Sequence, residues 1–174
     1  MKCIENLPSE FEAATSEEGK IITFRIFPGA DLYLNLLSIA QNYQVISGDL
    51  VKLLGTLKTA RIGFFNSATK KFEWTDYTDE NGYELASGQG TFALEKEMIK
   101  PHVHIVIAER RNNVAHAGHL CETPSDISTI VKEYVEGTIV RHEGIYAVRR
   151  YDPTIGASPV FFRSEERRVG KECR

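Results

Sequence analysis

The sequence predicts a single α+β domain: a mostly antiparallel β-sheet with flanking helices. Three observations lead there. Short runs rich in β-branched and aromatic residues recur along the chain, punctuated by Gly, Pro, Asn and Asp. Two of these runs, 101–108 and 114–121, flank the polar stretch 109–113 in the manner of a hairpin. One stretch, 32–43, carries an apolar stripe at helical spacing.

In chain order, 1–19 is polar and acidic with little periodicity and reads as a loose lead-in. Residues 20–27 (Lys-Ile-Ile-Thr-Phe-Arg-Ile-Phe) form a β-branched, aromatic strand. Pro28-Gly29-Ala30 breaks it, and Asp31 is placed to cap the helix that follows. On that helix Leu32, Leu36, Ile39 and Tyr43 share one stripe, a core pattern rather than a cofactor-binding one. Gly48 and Gly55 bracket a strand over 49–54, and 59–65 reads as its partner after a turn at Leu57-Lys58. Lys71 to Trp74 is a short strand, 76–82 a turn-rich acidic loop, and 83–94 a long strand. Gly88 and Gly90 in that strand suggest a bulge or a close backbone approach. Thr123-Pro124-Ser125-Asp126 resembles a helix start, yet the β-branched content of 127–134 also permits a strand. Strands over 135–142 and 145–149 and a turn at 151–156 complete the series.

With 174 residues the chain can bury one real core. It shows no repeat and no plausible domain boundary. The segment 163–174 has neither an apolar face nor turn logic, and it looks like the translation of a widely used sequencing-library adapter. It is set apart as a non-native tail, which leaves 20–162 as the domain. The tail holds five basic and three acidic residues, so the remainder has 16 basic against 21 acidic, net −5. A body that acidic is a poor general binder of phosphate backbones. No apolar run follows a basic start, and none approaches eighteen residues, so neither a cleaved signal nor a membrane span is expected. Three cysteines make no disulfide framework, which points to a reducing, cytoplasmic setting. There is no P-loop, no dinucleotide fingerprint and no nucleophile elbow around Ser87.

The chemistry concentrates in the hairpin, where four of five histidines fall within eighteen residues. On a strand His102 and His104 project from one face. A two-residue turn centred on Arg111-Asn112 makes opposite positions sum to 223, which sets His104 against His119 and His102 against Cys121. Centring it on Asn112-Asn113 gives 225 and moves His119 opposite Val106. Either sum is odd, so His119 and Cys121 share the face of His102 and His104, while His116 points away. The cluster is then a divalent-metal site or a hydrogen-bonded polar cluster. Three protein nitrogens suit zinc with an open fourth position, although iron, nickel or copper accept the same donors. Cys121 is a possible fourth ligand, and it would close the site. No catalytic residue can be assigned; Glu84 and Glu136 are candidates for a carboxylate beside the metal.

The hairpin resembles the plants-and-prokaryotes conserved (PPC) domain family, marked by a Pro-His-x-His strand followed by a Gly-Gly-His-Leu strand. Here these are Pro101-His102-Val103-His104 and Ala117-Gly118-His119-Leu120, with Ala117 in place of the first glycine. Upstream, Arg25 to Leu32 resembles the family's Arg-x-x-x-Gly-x-Asp-Leu opening. Leu54-Gly55-Thr56-Leu57 fits a glycine-containing strand, and Gly82 to Leu85 fits the segment before the first histidine strand. Tyr151-Asp152-Pro153 and Gly156 resemble the ending of prokaryotic members without an AT-hook. The likeness covers about 21–156, although 122–136 is longer than usual. It implies a PPC-like antiparallel sheet with packed helices, a homotrimer, and a divalent-metal site at His102, His104 and His119. The family is often labelled DNA-binding, but in plants that activity belongs to Arg-Gly-Arg-Pro hooks, and none is present. The expected function is therefore a trimeric metal-holding binding and assembly module for an unknown small ligand. The alternative is a metal-dependent, hydrolytic enzyme that uses a metal-bound water.

Overall fold

Alternation of apolar and polar residues decides most of this architecture, because each inward-pointing set must find a common core. The computed structural model describes residues 3–122 and 127–164. It contains β1 (Phe11–Thr15), β2 (Ile21–Ile26), α1 (Leu32–Asn42), β3 (Gly48–Asn66), β4 (Lys71–Glu95), β5 (Met98–Glu109), β6 (Ala115–Leu120), β7 (Ile130–Arg141), β8 (Ile145–Arg149) and β9 (Val160–Ser164). They form one sheet in the order β1-β2-β7-β3-β6-β5-β4-β8-β9. A further pairing of β3 with β4 closes β3, β6, β5 and β4 into a ring. Every pairing is antiparallel except β4 with β8.

Strand β5 shows how the pattern works. Ile99, Val103, Ile105 and Ile107 alternate inward and are buried, which leaves Lys100, His102, His104 and Val106 on the other face. The buried row packs with Leu32, Leu36 and Ile39 of α1 and with Leu50, Leu53 and Leu57 of β3 in one cluster. Each such side chain, fully buried, contributes about 1.5–3 kcal/mol. The helix starts as its sequence dictates: the Asp31 carboxylate accepts from the Leu34 N–H at 2.9 Å. Its fully buried Asn35 is satisfied, since the side-chain amide donates to Asp31 O and its oxygen accepts from Glu10 N.

Several expectations need correction. Among the described residues there is one helix, not several. The stretch from Ile130 belongs to β7, where Val135, Gly137 and Ile139 alternate into the core at strand period and Val131 is buried as well. The proposed helix start at Thr123–Asp126 lies outside the described residues. The lead-in is not loose throughout, because β1 pairs with β2 from Phe11↔Ile26 to Thr15↔Ile22. Residues 49–54 and 59–65 are not hairpin partners but successive parts of β3, which bends at an irregularity between Leu57 and Thr59. Likewise 71–74, the acidic stretch 76–82 and 83–94 are one strand, β4. Pairing with β3 holds Asp76 to Thr78 extended, while 79–82 bulge out of that register and keep turn chemistry: the Asp79 carboxylate accepts from the Asn81 N–H at 2.8 Å and Gly82 has φ 69°. That long strand lies between neighbours, and its glycines serve close approach: a Cβ on Gly88 would meet Leu53 and one on Gly90 the His102 carbonyl. Of the segment set apart as a tail, Arg163 and Ser164 end β9, and 165–174 lie outside the described residues. No helix among the described residues is long and apolar enough to cross a membrane.

Candidate metal centre

The β5–β6 hairpin pairs His104 with His119, Ile105 with Gly118 and Ala108 with Ala115, so the register sum is 223. The connection is wider than a two-residue turn. Glu109 N and Val114 O still bond at 2.9 Å, which leaves 110–113 as a four-residue loop with Asn113 at φ 58°. Four is also an even number, so the parity argument survives the wider loop. Backbone crowding helps to seat the hairpin. A Cβ on Gly90 would strike the backbone of His102 and Val103, and one on Gly118 would meet Gly63 O and Ile62. Glycine there lets β4, β5, β6 and β3 approach closely beneath the imidazoles.

His102, His104 and His119 converge. Their ring centroids are 5.3 Å (102–104), 4.8 Å (102–119) and 4.0 Å (104–119) apart. One nitrogen from each lies within 4.8 Å of the others. A tetrahedral ion with bonds of about 2.0–2.1 Å holds its donors roughly 3.3 Å apart, a closure within reach of side-chain rotation. Burial, followed by the neighbouring imidazoles His104 and His102, holds His119 down to about 4. Burial and then His102 also lower His104. Both rings are therefore neutral at pH 7, with lone pairs to offer. That is the state a metal requires.

The remaining expected residues resolve differently. His116 points away, as parity requires, with Nε2 2.8 Å from a Glu109 oxygen and its ring 4.5 Å from Tyr77. Cys121 does not continue the ladder opposite His102. Strand β6 ends at Leu120, and the Cys121 N–H turns to donate to Arg61 O at 3.2 Å. Its buried side chain lines a small cavity with Asp31 and Tyr33 instead. Glu84 and Glu136 are engaged in surface pairs, with Arg110 at 2.7 Å and Lys52 at 2.5 Å.

The structure also brings up groups that the spacing did not reveal. Glu122, just past β6, places a carboxylate oxygen 3.2 Å from His102 Nδ1 and the other 3.0 Å from Lys100 Nζ. Lys100 also holds Glu95 at 2.8 Å. Burial alone would raise the Glu122 carboxyl, but His102 and Lys100 together outweigh it and keep it below the usual range. The Phe72 ring meets His119 edge-on at 5.0 Å and stacks on Trp74. On the opposite side, Arg149 donates to Thr91 Oγ at 2.7 Å and to Ser158 O at 3.2 Å. Its buried Nε has no partner among the described residues, and burial lowers its pKa. An open groove of about 510 Å³ runs from His102 and His104 past Thr91 and Gln89 to Asp49.

Residues 13–136 match the model of the Plants and Prokaryotes Conserved (PCC) domain. Solved structures similar to this fold include a candidate DNA-binding protein from Bacteroides thetaiotaomicron. That likeness has 20% identity and a TM-score of 0.75, covering 88% of this chain and 99% of that one. A metal-containing protein from Archaeoglobus fulgidus is 18% identical with a TM-score of 0.71, over 88% and 99% of the two chains. A plant- and prokaryote-conserved (PPC) protein from Pyrococcus horikoshii is 20% identical with a TM-score of 0.69, over 85% and 92%. No curated protein matches the sequence significantly.

Proposed function

We propose, from the premise that this chain belongs to the Plants and Prokaryotes Conserved domain family, that it is a metal-holding binding and assembly module. His102, His104 and His119 would bind one divalent cation, with zinc the first choice for three neutral nitrogens and an open fourth position. The observation that carries this reading is the convergence of three imidazole nitrogens on one sheet face, within 4.8 Å of one another. The similar Archaeoglobus protein, described as metal-containing, agrees with it. Glu122 would fix the His102 ring by accepting its Nδ1–H, which turns Nε2 toward the cation. A homotrimer and a cytoplasmic setting complete the reading. The trimer is supported by the family, and the setting by a cysteine count too small for a disulfide framework. Elemental analysis of purified protein tests the core of the reading: about one zinc per chain is expected, and His102→Ala should abolish it. Wild-type protein that takes up no divalent metal would refute it.

A second reading, a metal-dependent hydrolase, is favoured by one observation. The triad opens on the groove and Cys121 does not close it. Bound zinc supplies a water of pKa about 7. DNA binding, suggested by the Bacteroides protein's description, finds no support in charge, since the body outside 163–174 is net −5.

A further inference from the structure

We infer that the groove beside the triad is a two-ended site for a small ω-amino carboxylate, its carboxylate at the triad's cation and its ammonium at Asp49. The inference rests on the metal reading above and adds a ligand class to it.

The sheet register lays out the floor. Asp49 of β3 is opposite Thr91 of β4, and Thr91 is opposite His102 of β5. Opposed residues share a face, so the three side chains line one row, and Gln89 pairs with His104 in the next. All of these residues line the same groove. A polar row therefore crosses a groove that Leu50 and Val51 also line, with a metal-ligating pole at one end and a carboxylate at the other.

Asp49 is held in place. One of its oxygens lies 2.8 Å from His142 Nε2, and His142 Nδ1 lies 3.0 Å from the hydroxyl of buried Ser47. If the Asp49 contact uses the Nε2–H, Nδ1 accepts from Ser47, and the ring is oriented from both sides. The chain ends at an oxygen with remaining acceptor capacity, on a side chain 44% exposed. Among the described ion pairs Asp49 meets no Lys or Arg, so this carboxylate pole attracts a cation.

The other pole has the opposite need. Around the triad, Lys100 and Arg149 balance Glu95 and Glu122, so the charge of a bound dication stays uncompensated. An anionic oxygen donor would meet it. Thr91, whose oxygen already accepts from Arg149, has a hydroxyl hydrogen left to donate to the same group.

Length follows from strand spacing. Two steps of about 4.8 Å separate Asp49 from His102, roughly 10 Å across the floor. The cation also bonds His119 of β6, on the far side of β5 from β4, so after a metal–oxygen bond of about 2.1 Å and a hydrogen bond of about 2.9 Å at least about 5 Å remains for the ligand. An amino group and a carboxylate separated by about three methylenes or slightly more span it.

The test is calorimetric titration of zinc-loaded protein, with metal content measured on every sample, using 4-aminobutyrate, butyrate, glycine and 8-aminooctanoate as probes. We expect 4-aminobutyrate to bind about ten- to a hundredfold more tightly than butyrate, the worth of a charge-assisted contact. Glycine, too short, and 8-aminooctanoate, too long, should both bind less tightly than 4-aminobutyrate. Asp49→Asn, which can still accept from His142, should erase the advantage and leave butyrate affinity and zinc content unchanged. Equal affinity for 4-aminobutyrate and butyrate in a zinc-bearing sample, or no effect of Asp49→Asn, overturns this inference and leaves the metal reading standing. A sample that takes up no zinc overturns the metal reading, and this one falls with it.

Discussion

Glu122 holds His102: a carboxylate oxygen sits 3.2 Å from Nδ1, while Lys100 anchors the other oxygen at 3.0 Å. A histidine oriented in this way presents Nε2 in a fixed direction, which lowers the cost of ordering the ring when a metal arrives. Glu122→Gln should therefore weaken zinc binding about ten- to a hundredfold, with little change in melting temperature of the metal-free protein. Competition against a chromophoric chelator measures the affinity. An unchanged affinity would mean that the contact does not orient the ring.

Glu122 also shows where the sequence stops being readable. His102, His104 and His119 could be placed on one face because strand period and an even loop are arithmetic, and the arithmetic survived a loop of four residues rather than two. Past Leu120 the strand ends, no period applies, and nothing in Cys121-Glu122 says which side chain turns back toward the histidines. The same arithmetic, carried one residue too far, set Cys121 opposite His102. The long strands were hidden for a related reason. Asp76 to Gly82 has turn chemistry; pairing with distant β3 makes 76–78 extended, and the turn preference survives only as a bulge over 79–82 inside the long strand. Helix α1 was legible because its stripe and its cap are both local.

The histidine cluster should make the metal-free protein acid-sensitive. Burial, together with His104 and His102, depresses His119 from 6.5 to about 4. Between those values the unfolded chain binds a proton that the folded chain refuses, so stability rises with pH across the window. Melting temperature of the metal-free protein should fall as pH drops from about 6.5 toward 4. His119→Gln should flatten that slope, and an unaltered slope would place the acid sensitivity elsewhere.

Gly90 lies under the site with no room for a side chain, since an added Cβ would meet His102 O and the Val103 Cα. Gly90→Ala should push β4 away from β5 and cost about 1–3 kcal/mol, the usual penalty for overpacking. Urea denaturation gives the figure, and zinc affinity should fall in the same variant because His102 moves. Wild-type stability would show that the strands can separate without strain.

Assembly can be checked without knowing the ligand. The homotrimer that the family supports predicts a scattering mass near three times the 19.6 kDa of the chain at micromolar concentration. Apolar side chains left exposed on the single chain, among them Phe64 and Phe162, would then gain cover. A clean monomer mass would remove trimerisation from the proposal.

Nucleic acid is the partner for which charge makes the sharpest statement. Affinity for duplex DNA comes largely from Lys and Arg that neutralise phosphates and release counterions. Here many cations are already answered by carboxylates: Arg110 by Glu84 and Glu133, Arg111 by Glu80, Lys100 by Glu95 and Glu122, and Arg25 by Glu12. Breaking these pairs to meet phosphates would return little net attraction, and the body outside 163–174 carries net −5. The five basic residues of 163–174 act in the other direction and can produce a weak, sequence-independent signal of their own. A chain ending at Phe162 should therefore bind duplex DNA no more tightly than about 10⁻⁴–10⁻⁶ M at physiological salt, with the full chain somewhat tighter and steeper in its salt dependence. Fluorescence anisotropy across a salt series distinguishes the cases. Sub-micromolar binding by the shorter chain would mean that a surface of the folded domain, rather than the basic terminal segment, recognises DNA.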